Sequence, residues 1–153
     1  MQSAVAAVER GDPETGVSEF RTALEAARDD ARSPNELAYA AWHLGDLCFE
    51  HPPLCGQGEA EASTLEALRT FEARYGPEHP VVIPVLLRLA EIREGQGDPA
   101  AASELREKAD RITDRSFPDS HFMRARMGTH RPAADLHPQE LLQILSEVDP
   151  LDG

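Results

Sequence analysis

The sequence predicts an all-α fold in which helical hairpins stack in series, and three observations carry that expectation. The first is a phrase used twice: Gly11-Asp12-Pro13-Glu14-Thr15-Gly16-Val17-Ser18-Glu19-Phe20-Arg21-Thr22-Ala23 returns 86 residues later as Gly97-Asp98-Pro99-Ala100-Ala101-Ala102-Ser103-Glu104-Leu105-Arg106-Glu107-Lys108-Ala109. A looser copy lies near the midpoint, Gly58 to Ala67. A helix-forming phrase recurring at a step of about 40 residues marks a stacked-repeat architecture. The second observation is the placement of small residues. Ala23, Ala67 and Ala109 close the three copies, and Gly16, Ala60 and Ala102 stand seven positions before them. Seven residues are two helical turns, so each pair shares one face on which another helix can approach closely. The third is composition: aromatic residues make up only 5% of the 153 residues, which favours helices packed through small residues over a sheet of β-branched and aromatic ones.

Each phrase therefore reads as the second helix of a hairpin, and the first helices precede them. Leu37 to Phe49 carries Leu37, Ala40, Ala41, Leu44, Leu47 and Cys48 at helical spacing, with Gly45 as a close-contact point. Val82 to Glu94 carries Val82, Val85, Leu86, Leu89, Ala90 and Ile92 likewise. Ser33-Pro34 and His79-Pro80 mark the two starts, and Gly95-Gln96-Gly97-Asp98-Pro99 ends one helix and opens the next. Pro84 would break a helix interior, so the helix is expected to begin at Val82 or Ile83 and hold this proline in its first turn. Three divisions follow: helical repeats over 1–112, an irregular connector over 113–136, and a C-terminal helix and tail over 137–153. Leu141, Leu142, Leu145 and Val148 share a face of that last helix. It reads as a cap folded back on the stack, with a docking helix for a partner, or a self-association surface through Leu141, Leu142 and Leu145, as the alternatives.

The net charge is −13, from 28 acidic and 15 basic residues. Such a surface repels phosphate backbones and anionic lipid headgroups, so nucleic acid and membrane are not expected partners. No apolar run approaches the ~18 residues of a membrane span, and Met1 to Val8 lacks the basic segment of a secretion signal. A reducing, cytoplasmic setting is the expectation that follows.

The segment Glu66-Ala67-Leu68-Arg69-Thr70-Phe71-Glu72-Ala73-Arg74-Tyr75-Gly76-Pro77-Glu78-His79-Pro80, with Leu86-Leu87-Arg88-Leu89-Ala90-Glu91-Ile92 and Gln96-Gly97-Asp98, resembles tetratricopeptide repeats of the kinesin-light-chain type. That subtype carries a Gly-x-x-His-Pro turn between repeats and a period near 42, and the resemblance covers about residues 3 to 112. The departures are a first repeat that begins part-way through its first helix, a longer loop from Glu50 to Gly58, and His43 and Arg88 where the subtype commonly has Asn. The first repeat implies either a short opening helix or a piece of a longer array. The resemblance implies a concave groove lined by first helices. Carried over by alignment, its residues are Tyr39, Trp42, His43, Asp46 and Phe49 in one repeat and Leu87, Arg88, Glu91 and Glu94 in the next. Aromatic anchors rimmed by carboxylates suit a partner segment bearing Arg or Lys beside an apolar side chain. Trp42 could instead pack against the connector within the chain.

Other chemistries are weaker. His43, Cys48, His51 and Cys55 form a metal-like set, but they lack a Cys-x-x-Cys knuckle, and Cys48 reads as a small buried hydrophobe. A Cys48–Cys55 disulfide is geometrically conceivable, yet a reducing compartment argues against it. His121, His130 and His137 accompany Asp119 and Asp135 without a spacing that enforces a cleft. Neither a Gly-x-Ser-x-Gly elbow nor a phosphate loop occurs. The expectation is a non-enzymatic, cofactor-free scaffold or adaptor that binds a protein segment. The rival is a small metal-binding protein or enzyme using the His43-to-Cys55 loop or the histidine-bearing connector.

Overall fold

In the computed structural model the described residues are 2–29, 34–117 and 137–148, with backbone alone at 34 and 144–148. Helices account for nearly all regular structure among them, and no strand occurs there. In chain order they are α1 (Gln2–Glu9), α2 (Pro13–Asp29), α3 (Pro34–Glu50), α4 (Glu59–Tyr75), α5 (Ile83–Gly95), α6 (Pro99–Ser116) and α7 (Pro138–Val148), with 3-10 turns at Pro52–Leu54 and Pro80–Val82. The all-α expectation therefore holds. None of these helices is long and apolar enough to cross a membrane.

The repeated Gly-Asp-Pro phrase folds the same way in both places. Gly11 and Gly97 adopt φ of +79° and +80°, a left-handed conformation that disfavours any side chain. The following Asp caps the next helix: Asp12 Oδ1 accepts from Thr15 N–H at 3.2 Å, and Asp98 Oδ1 from Ala101 N–H at 3.1 Å. Proline then fills the first helical position, where its missing N–H costs nothing.

The chain divides into two compact units, Met1–Arg74 and Tyr75–Gly153. In the first, α1 packs on α2 and α2 on α3. The small residues do what the spacing predicts at two points. A Cβ on Gly16 would lie 2.7 Å from Val8 Cγ2 and 3.3 Å from Leu47 Cδ1. One on Gly45 would lie 2.5 Å from Thr64 Oγ1 and 3.4 Å from the Ala60 carbonyl, so α3 passes α4 too closely there for a side chain. Ala67 is fully buried, whereas Ala23 and Ala60 are half-buried. The core of this unit is built from Val17, Phe20, Leu24, Trp42, Leu44 and Phe71.

In the second unit α5 packs on α6, and α7 rests on the Pro80–Val82 turn with Leu141 buried. His79 Nδ1 accepts from Val81 N–H at 3.1 Å, which closes that turn and leaves Pro84 within the first turn of α5, as expected. Helix α6 continues through Ser116, four residues past the predicted end, because Thr113 is buried with its hydroxyl on the Ala109 carbonyl and Phe117 is buried at the helix end. Residues 118–136 of the predicted connector, with His121, His130, Asp119 and Asp135, lie outside the described residues. So do the side chains of Leu145 and Val148.

Candidate functional site

The α3 positions taken from the resemblance separate by exposure: Tyr39, His43, Asp46 and Phe49 are half-buried. Glu36 and Glu50, which the sequence reading did not single out, are exposed on the same helix. Glu36, Tyr39, His43, Asp46 and Glu50 recur every three or four residues, so they form one stripe along the helix. Its rings are braced from both sides: Tyr39 lies tilted against Phe71 of α4 at 5.9 Å, and His43 stacks on Phe20 of α2 at 4.9 Å. Helix α3 contains no Lys or Arg, so this stripe is acidic as well as aromatic.

Trp42 does not belong to it. It is 1% exposed, because it sits roughly 80° around the helix from the stripe centre, on a flank that packs into the core. Leu87 and Arg88 are buried too, at 2% and 1% exposure. Helix α5 is covered on every side from Ile83 through Ala90, all of them buried, and that stretch offers no open face. Arg88 Nη1 donates to Glu91 at 3.3 Å, so the cation is a buried structural group rather than a rim charge. Of the four α5 positions taken from the resemblance, only half-buried Glu91 and exposed Glu94 remain accessible, and Glu94 is paired with Arg106 at 2.7 Å.

The cysteines require a correction. Cys48 and Cys55 form a disulfide with Cα atoms 5.5 Å apart, where the sequence reading argued against one. Cys48 is buried in the last turn of α3, as expected. The 3-10 turn at Pro52–Leu54 then brings the chain back within bridging distance. A Glu59 carboxylate oxygen lies within 4.8 Å of both sulfurs, while His43 and His51 are not part of that group.

Glu59 belongs to an arrangement the sequence reading missed. Arg21 donates from Nε and Nη2 to its two oxygens at 2.8 and 2.6 Å, and also to the Leu54 carbonyl at 3.2 Å. One rung further along, Arg28 grips Glu66 in the same bidentate way. The hydrogen bonds from Arg21, joined by the Gly56 N–H, hold the Glu59 carboxyl below the usual carboxylate range, and Arg21 is raised in turn. The signal was present: Arg21 and Arg28 are seven residues apart, and so are Glu59 and Glu66, the same two-turn spacing as the small residues. A cleft of about 210 Å³ between α2 and α4, with Leu24 and Leu44 in its wall, is lined by both pairs.

Comparison with family models, curated proteins and solved structures finds no match to this chain.

Proposed function

We propose that this protein is an interaction module, a tetratricopeptide-type stack of helical hairpins that binds a basic segment of a partner protein along α3. The observation that carries the reading is the composition of the α3 stripe. Braced rings at Tyr39 and His43 are flanked by Glu36 on one side and by Asp46 and Glu50 on the other, on a helix with no Lys or Arg of its own. Rings already held by Phe71 and Phe20 lose little freedom when a partner side chain packs on them, and carboxylates beside them select Arg or Lys. Phe49, half-buried on the Trp42 flank, widens the apolar contact. A net charge of −13 draws a basic partner toward the molecule and gives the encounter a strong salt dependence. The repeated capped hairpins supply a rigid frame for such a surface.

The test is a fluorescence-anisotropy titration of the full chain with labelled peptides that combine two Arg or Lys residues with one large apolar side chain, set against acidic peptides of the same length. Saturable binding confined to the basic set is expected. Tyr39→Ala should weaken it by roughly tenfold, as loss of an aromatic anchor does, and Asp46→Lys should weaken it further at low salt than at high salt. Equal binding of both sets, or indifference to both substitutions, would remove the reading.

A further inference from the structure

We propose that the Cys48–Cys55 disulfide is the closed form of a redox-gated metal site. On reduction, its two thiolates and the Glu59 carboxylate take one Zn²⁺. The two sulfurs and a Glu59 oxygen already lie within 4.8 Å of one another. Tetrahedral zinc with bonds of about 2.3 Å to sulfur holds its thiolates about 3.8 Å apart, so the open pair needs only local adjustment of the turn around Pro52–Leu54 to admit the ion. Cys48 is fixed by its place in the last turn of α3, and Glu59 is the first residue of α4. Cys55 lies on the connection between them, and its N–H is held by the Pro52 carbonyl.

The surroundings suit a metal ligand. Arg21 orients the Glu59 carboxylate with two hydrogen bonds, and the Gly56 N–H donates to it at 3.0 Å, the kind of outer support that fixes a ligating carboxylate. Two thiolates, one carboxylate and the Arg21 guanidinium together carry a charge of −2, which the ion neutralises. Soft sulfur donors select zinc over magnesium or calcium. The fourth position falls to water, since neither His43 nor His51 joins the group.

The chemistry balances. A thiol reductant supplies two electrons and two protons: the Cys48–Cys55 bond breaks, both sulfurs become thiols, and two reductant thiols join as a disulfide. Binding of Zn²⁺ then displaces the two thiol protons to solvent. The inference is independent of the α3 surface, and it replaces the His43, Cys48, His51 and Cys55 set with one centred on Glu59.

The experiment uses the full chain, oxidised or reduced with a phosphine and kept anaerobic, titrated with Zn²⁺ against a chromophoric chelator. One equivalent should bind to the reduced chain at least about 100-fold more tightly than to the oxidised one. Co²⁺ in place of zinc should give a thiolate charge-transfer band. Glu59→Gln should weaken binding roughly 10–100-fold, and the Cys48→Ser, Cys55→Ser double variant should fall to the oxidised level. Reduced and oxidised chains of equal affinity would overturn the proposal, as would a Glu59→Gln variant of undiminished affinity. Should reduction alone melt the helices, zinc must restore the circular-dichroism transition, and failure to do so overturns it equally.

Discussion

Helices α3 and α5 hold the same place in the sequence pattern, each preceding a Gly-to-Ala phrase, yet they meet solvent differently. Helix α3 is two-faced: Ala38, Ala41, Trp42 and Gly45 are buried while Glu36, Tyr39, His43, Asp46 and Glu50 are wholly or partly open. Helix α5 is buried from Ile83 through Ala90, the charged Arg88 included. One keeps a face open to solvent and the other is covered all round over this stretch. Equivalent positions in a repeat thus do not imply equivalent roles, because the local density of apolar residues decides which face stays wet.

The largest effect that could break this contrast is in α5. Leu86→Ala should cost about 2–5 kcal/mol, the range for truncating a fully buried leucine, whereas Tyr39→Ala should leave more of the fold's stability intact. Urea denaturation followed by helical circular dichroism compares them directly, and equal losses would mean that α3 is as much a core helix as α5.

A close-contact variant sharpens the other side. Gly45→Ala forces a Cβ to within 2.5 Å of Thr64 Oγ1, and the strain should outweigh the gain in helix propensity to leave a net cost of about 1 kcal/mol. Pairing it with Thr64→Ala should recover part of that loss, which a double-mutant cycle reads as coupling between α3 and α4. Additive costs would place the contact elsewhere.

The frame was legible in the sequence because helices of this kind are specified locally. Gly11-Asp12-Pro13 and Gly97-Asp98-Pro99 carry the turn, cap and first helical residue within three positions, and Pro84 marks the start of α5 without reference to distant parts of the chain. Burial was less legible. Alignment to the repeat places Trp42 and Arg88 on a surface, but whether a side chain at the flank of a stripe is covered depends on neighbours far along the chain. The disulfide is hidden for another reason: an expected reducing compartment argues against a pairing that the turn at Pro52–Leu54 makes geometrically easy. The Arg21–Glu59 and Arg28–Glu66 rungs link residues 38 apart, and charge spacing on two separate helices shows this only once the helices are known to be neighbours.

Cap removal should act more gently than core truncation. Asp98→Ala removes the bond to the Ala101 N–H and should cost about 1 kcal/mol, while Asp12→Ala should destabilise α2 in the same direction. Thermal melts that move for neither variant would show that the repeated phrase is held by its glycine and proline alone.

The smallest effect concerns the Arg21–Glu59 pair. Because Glu59 has a depressed folded-state value, its contribution is present above the ordinary carboxylate value of 4.5 and is lost as pH falls through the lower folded value. With Arg21 40% exposed, that contribution is screened by solvent and should stay under about 1 kcal/mol. Arg21→Ala should therefore lower stability at neutral pH by under about 1 kcal/mol, leave it unchanged below the folded value of Glu59, and so flatten the acid limb of the profile slightly. An unaltered acid limb would mean that the pair contributes nothing.

Chemical-shift mapping on the isotope-labelled full chain, titrated with an Arg-bearing apolar peptide, addresses the contrast and the function together. Perturbations should concentrate at Glu36, Tyr39, His43, Asp46 and Glu50 and spare Ile83 to Ala90. A footprint centred on α5, or shifts absent from α3 at saturation, would contradict the assignment of the binding surface to α3.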